Sequence, residues 1–127
     1  MKALAAHVLG VSALGLLLVS CGDDCLGISC PLGVAIRITV SSVAVAGPVE
    51  NVSIQVSDAN LPPTTCTVEA NATVCRVFAN SGTYALVVGA PGFQSTQRDV
   101  TVRGTIGQCD CPIVTTENVS VSLSRTP

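Results

Sequence analysis

The fold of this chain can be inferred from the stretch Gly82-Thr83-Tyr84-Ala85-Leu86-Val87-Val88-Gly89-Ala90-Pro91-Gly92-Phe93. Every second residue from Tyr84 to Ala90 is apolar, which is the period of a β-strand that buries one face. Gly82 permits the positive φ of a turn before this strand, and Pro91-Gly92 ends the strand and reverses the chain. We therefore predict a half-buried strand, with the Tyr84 hydroxyl bonded to a loop carbonyl.

The same alternation continues on both sides of this strand, and no stretch has a helical period. Turn signals at Gly, Pro and Asn residues separate the alternating runs at short intervals. The pattern predicts an all-β fold, a single seven-stranded antiparallel β-sandwich over residues 34–125. The expected strands are 34–40, 52–57, two in a hairpin at 66–75, 84–90, 94–103 and 119–123, and 104–112 is expected to be a loop.

A tight hairpin is predicted between two cysteines, Cys66 and Cys75. If Ala70-Asn71 is the turn, Glu69 lies opposite Ala72, and Cys66 lies opposite Cys75. Counting outward from a two-residue turn, that cysteine pair falls at a non-hydrogen-bonded position, where two antiparallel strands approach more closely. A disulfide bond is geometrically reasonable there.

The stretch 82–93 is similar to the G-x-Y-x-L-x-V-x-A-x-G-[FY] motif of carboxypeptidase regulatory-like domains. Gly47-Pro48-Val49 resembles the turn before that family's second strand, and Val119–Leu123 fits its terminal strand. The resemblance covers roughly residues 34–124. It implies a transthyretin-like sandwich that accompanies catalytic or secreted modules and is not itself catalytic. The chain departs from the family in its six cysteines besides Cys21.

The N-terminus reads as a targeting segment, because Met1-Lys2 precedes an apolar run that ends before Asp23-Asp24. Leu18-Val19-Ser20-Cys21 resembles the lipobox of bacterial lipoproteins. The resemblance implies a signal peptide at 1–20, cleavage after Ser20, and a diacylglycerol on Cys21 with a further acyl group, such as palmitate, on its amino group. Two or more acyl chains anchor a protein stably in a membrane. Residues 21–33 would then form a lipidated tether.

Two alternatives to the lipid anchor remain open from the sequence. One is an uncleaved N-terminal membrane anchor, and the other is an ordinary secreted protein with Cys21 in a disulfide. Under the lipoprotein resemblance, Gly22 directly after the cysteine suggests sorting to the outer membrane of the cell envelope.

The number of cysteines favours lipid attachment at Cys21, because the chain has seven cysteines, an odd number. Assigning Cys21 to lipid leaves six, an even set suited to three disulfides in an oxidising compartment. We expect Cys25 and Cys30 to pair with Cys109 and Cys111, which would join the tether to the loop before the last strand. The rival arrangement is two local pairs, Cys25 with Cys30 and Cys109 with Cys111.

Charged and chemically reactive residues are sparse. Removing Lys2 with the signal leaves five dispersed arginines against eight acids, a net charge of −3, so nucleic acid is not an expected partner. The one histidine, His7, is also in the signal, which excludes histidine-dependent triads and metal sites. We predict no catalytic site, metal or cofactor. Five carboxylates are expected on solvated loops or polar strand faces: Asp58, Glu69, Asp99, Asp110 and Glu117.

These observations predict a non-enzymatic, lipid-anchored β-sandwich of the bacterial cell envelope. Membrane lipid would be its partner through acylated Cys21, and its loops or a sheet edge would bind an envelope protein or the cell wall. The alternative function is a small secreted protease inhibitor, with residues 104–112 as its exposed loop, or an accessory module of an envelope hydrolase.

Overall fold

In the computed structural model, residues 25–127 are described, and they are rich in β-structure and contain no α-helix. The predicted signal peptide and Cys21 lie outside the described residues. Within the described part, no helix has the length and hydrophobicity that a membrane crossing requires. The strands are β1 (Val34–Ser42), β2 (Ser53–Val56), β3 (Thr65–Glu69), β4 (Ala72–Phe78), β5 (Gly82–Gly89), β6 (Thr96–Val102), β7 (Gly104–Ile106), β8 (Pro112–Val114) and β9 (Glu117–Leu123).

The strands form three sheets. One has four strands in the order β3-β4-β1-β9, a second has three in the order β2-β5-β6, and β7 and β8 form a two-stranded ribbon. The expectation of a fully antiparallel arrangement is wrong, because β9 pairs with β1 in parallel. The chain returns through the ribbon to the end where β1 starts, and there the Thr116 hydroxyl donates a hydrogen bond of 2.7 Å to the Val34 carbonyl. Both strands therefore run in the same direction from one end.

A single core is shared by the two larger sheets. The alternation that identified β5 is also its burial pattern, since Leu86 and Val88 are fully buried and Tyr84 is nearly so. As expected, the Tyr84 hydroxyl donates a hydrogen bond, to the Asn80 carbonyl at 2.8 Å. The other sheet contributes the largest buried side chains opposite, among them Ile36, Ile38, Val40, Val77, Val121 and Leu123.

The predicted hairpin has the predicted register. Cys66 lies opposite Cys75 and Glu69 opposite Ala72. The Cα atoms of the two cysteines are 4.0 Å apart, in keeping with a non-hydrogen-bonded position. Ala70 and Asn71 have φ of 49° and 64°, the two positive values of a type I′ turn, whose twist matches that of the flanking strands.

The segment 104–112 is not a plain loop, which corrects the sequence-based expectation. β7 pairs with β8, with Thr105 opposite Ile113, around a 3₁₀ turn at Gln108–Asp110. Three-residue strands are too short to show a period, so the pattern could not reveal them. Gly107, before the turn, lies against the Ile113 side chain, so a Cβ added there would push that exposed side chain aside.

Candidate functional site

The domain has two ends, which we name by their contents. The stapled end comprises residues 25–33 and 103–116, next to the start of β1 and of β9. The distal end comprises residues 42–52, the hairpin turn 69–72, and residues 89–95 and 124–125, where β1 and β9 finish. Since β1 has nine residues, the two ends lie about 30 Å apart.

Two disulfides hold the stapled end together. Cys25 bonds to Cys109 and Cys30 to Cys111, with Cα–Cα distances of 5.2 Å and 5.3 Å. The rival arrangement of two local pairs does not occur. Residues 25–33 are further held where the Ala79 amide donates a hydrogen bond to the carbonyl of Gly33. Residues 25–33, which the sequence pattern assigns to a tether, are therefore fastened to the body of the domain.

A first open depression lies at the distal end. Its volume is about 320 Å³. The guanidinium of Arg125 lies 5.8 Å from the ring centroid of Phe93, within the range of a cation–π contact. The floor includes Val49, which is 6% exposed. The lining residues are Ser42, Val45, Pro48, Val49, Glu50, Asn51, Pro91, Phe93 and Arg125.

A second depression, of about 500 Å³, lies on the other side of the segment 48–51. This segment is a narrow wall between the two depressions, since its four residues line both. The buried Thr73 hydroxyl supports the wall by donating a 2.7 Å hydrogen bond to the Val49 carbonyl. Across from the wall stands Val68, whose exposed fraction is 64%. The remaining lining residues include Val52, Cys66 and Thr67.

The distal end offers shape and mixed polarity rather than reactive groups. Sequence reasoning did not find it, because its lining comes from four separate segments with no common spacing. Phe93 and Arg125 meet only because an isolated β-bridge joins them. A bridge of one residue pair leaves no pattern in the sequence, although the pair of an aromatic and an arginine is itself typical of binding surfaces.

An ion-pair cluster lies beside the distal end. Arg76 contacts the Glu69 carboxylate at 2.6 Å, Arg37 lies 3.6 Å from it, and the Thr67 hydroxyl donates a hydrogen bond of 2.8 Å to it. The hydrogen bond from Arg76, followed by that from Thr67, lowers the pKa of Glu69 from 4.5 to about 2. The same hydrogen bond raises the pKa of Arg76. Glu69, expected to be simply solvated, is thus tied to its neighbours.

The other four predicted carboxylates do not converge on this cluster. Asp58 accepts a hydrogen bond from the Asn60 amide in its own loop, and Asp99 and Asp110 are exposed. Glu117 stands at the start of β9, on the opposite edge of the four-stranded sheet from Glu69. Within residues 25–127, no group of three or more His, Cys, Asp or Glu side chains could hold a metal ion.

A scan against protein-family models matches no family, and a search of the curated proteins finds no match. Functional inference for this chain therefore depends on its own residues and on the geometry of its two ends.

Proposed function

We propose that this chain is a non-catalytic, lipid-anchored module of the bacterial cell envelope. Acylated Cys21 holds it at a membrane, for which sorting to the outer membrane is the expectation, and its distal end binds an envelope protein or the cell wall. The observation that carries the proposal is the disulfide pattern. The three bonds use all six cysteines that follow Cys21. Cys21, at the end of a lipobox-like motif, is the one cysteine they leave over.

Placement of the staples supports the anchor. Cys21 precedes Cys25 by four residues, and Cys25 and Cys30 are bonded to the turn of the ribbon before β9. A pull on the anchor therefore passes through covalent bonds to the ribbon, instead of peeling β1 away from its neighbours.

The two larger sheets and their shared core support a seven-stranded, transthyretin-like sandwich. The motif at 82–93 supports the carboxypeptidase regulatory-like family, because its Tyr, Leu and Val positions are the buried ones. Domains of that kind supply surfaces to neighbouring modules rather than catalysis. The distal depressions, which lie about 30 Å from the stapled end, are the surface that we assign to the partner.

Fatty-acid labelling of cells tests the anchor. We expect the full chain to incorporate radiolabelled fatty acid and Cys21→Ser to incorporate none. The control is Cys66→Ala with Cys75→Ala, which removes a disulfide from the same chain without touching the anchor and should keep the label. An unlabelled wild type, or label retained by Cys21→Ser, would contradict the proposal.

Affinity purification tests the distal end. Full-length protein is cross-linked in cells and purified with its partners from envelope extract. Phe93→Ser with Val45→Asp should lose the partner that wild type retains, because these changes remove two large apolar side chains from the lining of the first depression. Thr101→Asp, an exposed site on β6, is the matched control and should keep it. Loss in both variants, or in neither, would refute the assignment.

A second function is favoured by one observation, the rigid ribbon. Its turn carries Cys109 and Asp110 at positive φ and is fixed by two disulfides, as a protease-inhibiting loop requires. Purified protein would then inhibit a secreted protease, and replacement of Asp110 and Gln108 would relieve the inhibition. No effect across serine, cysteine and metalloproteases would exclude this function.

A further inference from the structure

Exposed apolar side chains gather at the two ends of the domain. Four large ones belong to the stapled end: Leu26, Ile28, Ile106 and Ile113, with exposed fractions of 75%, 52%, 68% and 55%. The remaining three, Val43, Val45 and Val68, belong to the distal end and its hairpin. Side chains this exposed add little to the core, so their concentration on short segments needs another explanation.

The ribbon presents apolar side chains on both of its faces. Ile113 lies opposite Thr105, and Ile106 lies opposite Pro112. Because neighbouring residues of a strand point to opposite sides, Ile106 and Ile113 stand on different faces. The two disulfides bring Leu26 and Ile28 to the turn of the same ribbon. The stapled end is thus apolar from more than one direction, unlike a groove shaped for one peptide.

The short distance in sequence between Cys21 and the stapled end indicates which partner this end would contact. The described residues begin at Cys25, and Cys21 is only four residues away. Four extended residues span at most about 14 Å. An acyl anchor on Cys21 would therefore keep Cys25 within that distance of the bilayer surface, so a lipid surface is the nearest partner for the stapled end to which Cys25 is bonded.

The charge of the stapled end indicates which lipid headgroups it would contact. Arg103 and Asp110 are both exposed there, and Asp23 and Asp24 stand next to the anchor in the sequence. Carboxylates outnumber the one arginine, so attraction to anionic headgroups is not expected. Contact would come from apolar burial at the level of the headgroups of zwitterionic lipid.

We propose that the stapled end is a second membrane contact, in which Leu26, Ile28, Ile106 and Ile113 enter the headgroup region of the bilayer. The inference rests on the proposed function, since the anchor brings this end to the lipid. The contact orients the domain, with its distal end directed away from the membrane. It also hides the ribbon, so it excludes the inhibitor function.

Tryptophan fluorescence tests the contact, because the natural chain contains no tryptophan. Ile106→Trp and Leu26→Trp place a reporter at the stapled end, and Val43→Trp places one at an equally exposed distal position. Each acylated protein is reconstituted into phosphatidylethanolamine–phosphatidylcholine vesicles, with or without bromine on the acyl chains. We expect blue-shifted emission and loss of intensity in brominated vesicles for the two stapled-end reporters, and neither effect for Val43→Trp.

The outcomes separate this inference from the anchor. Unquenched stapled-end reporters on acylated protein, or equal quenching at both ends, would overturn the contact while leaving the anchor intact. Protein whose mass shows no acyl group would refute the anchor. The same reporters on the Cys21→Ser chain are then mixed with the vesicles: quenching confined to residues 26 and 106 supports the contact, and its absence refutes it. Non-reducing peptide mapping of the three disulfides excludes a misfolded reporter.

Discussion

Glu69 shows how a single residue depends on strand register. It ends β3, and the hairpin sets it beside Arg76 of β4, while the next strand adds Arg37. Nothing in the local sequence marks this meeting, because the three residues are far apart in the chain or on different strands. The pKa of the carboxyl group reports on it directly.

We predict that this cluster makes stability depend on acid pH. The pKa of Glu69 is about 2 in the folded chain against an ordinary 4.5, so the folded state binds this proton less readily. The stabilisation is complete above pH 4.5 and is lost as pH falls toward 2. The free energy of unfolding of wild type minus that of Glu69→Gln should be constant at neutral pH and shrink over that window.

An Arg76→Gln background supplies the control for this measurement. Since Arg76 is the main cause of the lowered pKa, the pH-dependent effect of Glu69→Gln on the free energy of unfolding should largely disappear there. An effect that persists unchanged, or one that grows as the pH falls, would contradict the cluster.

Tyr84 is the opposite case at the same scale. Its place, its burial and its hydrogen bond to a loop carbonyl could all be predicted, because each follows from residues within the stretch 80–93. Contacts between residues close in the sequence can be predicted from it, whereas contacts that depend on the register of separate strands cannot.

At the scale of elements, the two disulfides that hold residues 25–33 close nearly the same loop of the chain. Each on its own closes a loop of more than 80 residues, which is worth about 4.6 kcal/mol by chain entropy. With one bond intact, the other closes a ring of only about eight residues, which is worth about 2.5 kcal/mol. The two contributions are therefore not additive.

We predict that removing both disulfides lowers the free energy of unfolding by more than the sum of removing each one alone. Cys25→Ala with Cys109→Ala, or Cys30→Ala with Cys111→Ala, should each lower the free energy of unfolding by about 2.5 kcal/mol, and all four replacements by about 7 kcal/mol. Urea unfolding under non-reducing conditions measures this. If the fourfold variant loses only the sum of the free energies lost by the two single-pair variants, the two disulfides do not close the same loop.

The strands also show where the alternation of apolar residues fails to predict structure. The longer strands could be predicted, as could the hairpin and its turn, because alternation needs length to be recognised. The short strands β7 and β8 escaped detection, and so did the parallel pairing of β9. Strand direction follows from where the chain re-enters a sheet, which depends on the whole path of the ribbon rather than on any residue of β9.

The whole molecule is polarised between its two ends. The stapled end carries two of the three disulfides and faces the proposed anchor, and the distal end carries both depressions. The cysteines made the stapled end predictable, since their number and spacing limit what they can do. The distal depressions arise from four segments that meet only in the folded chain, so no sequence pattern could mark them.

Mass spectrometry of the mature N-terminus examines the lipid anchor at the residue that would carry it. Protein extracted from envelope membranes is digested under non-reducing conditions, and the N-terminal peptide is fragmented. We predict a peptide that begins at Cys21 and carries a thioether-linked diacylglycerol and an amide-linked fatty acid. A mature chain that begins elsewhere, or an unmodified Cys21, would contradict the lipid anchor on which the proposed orientation of the molecule depends.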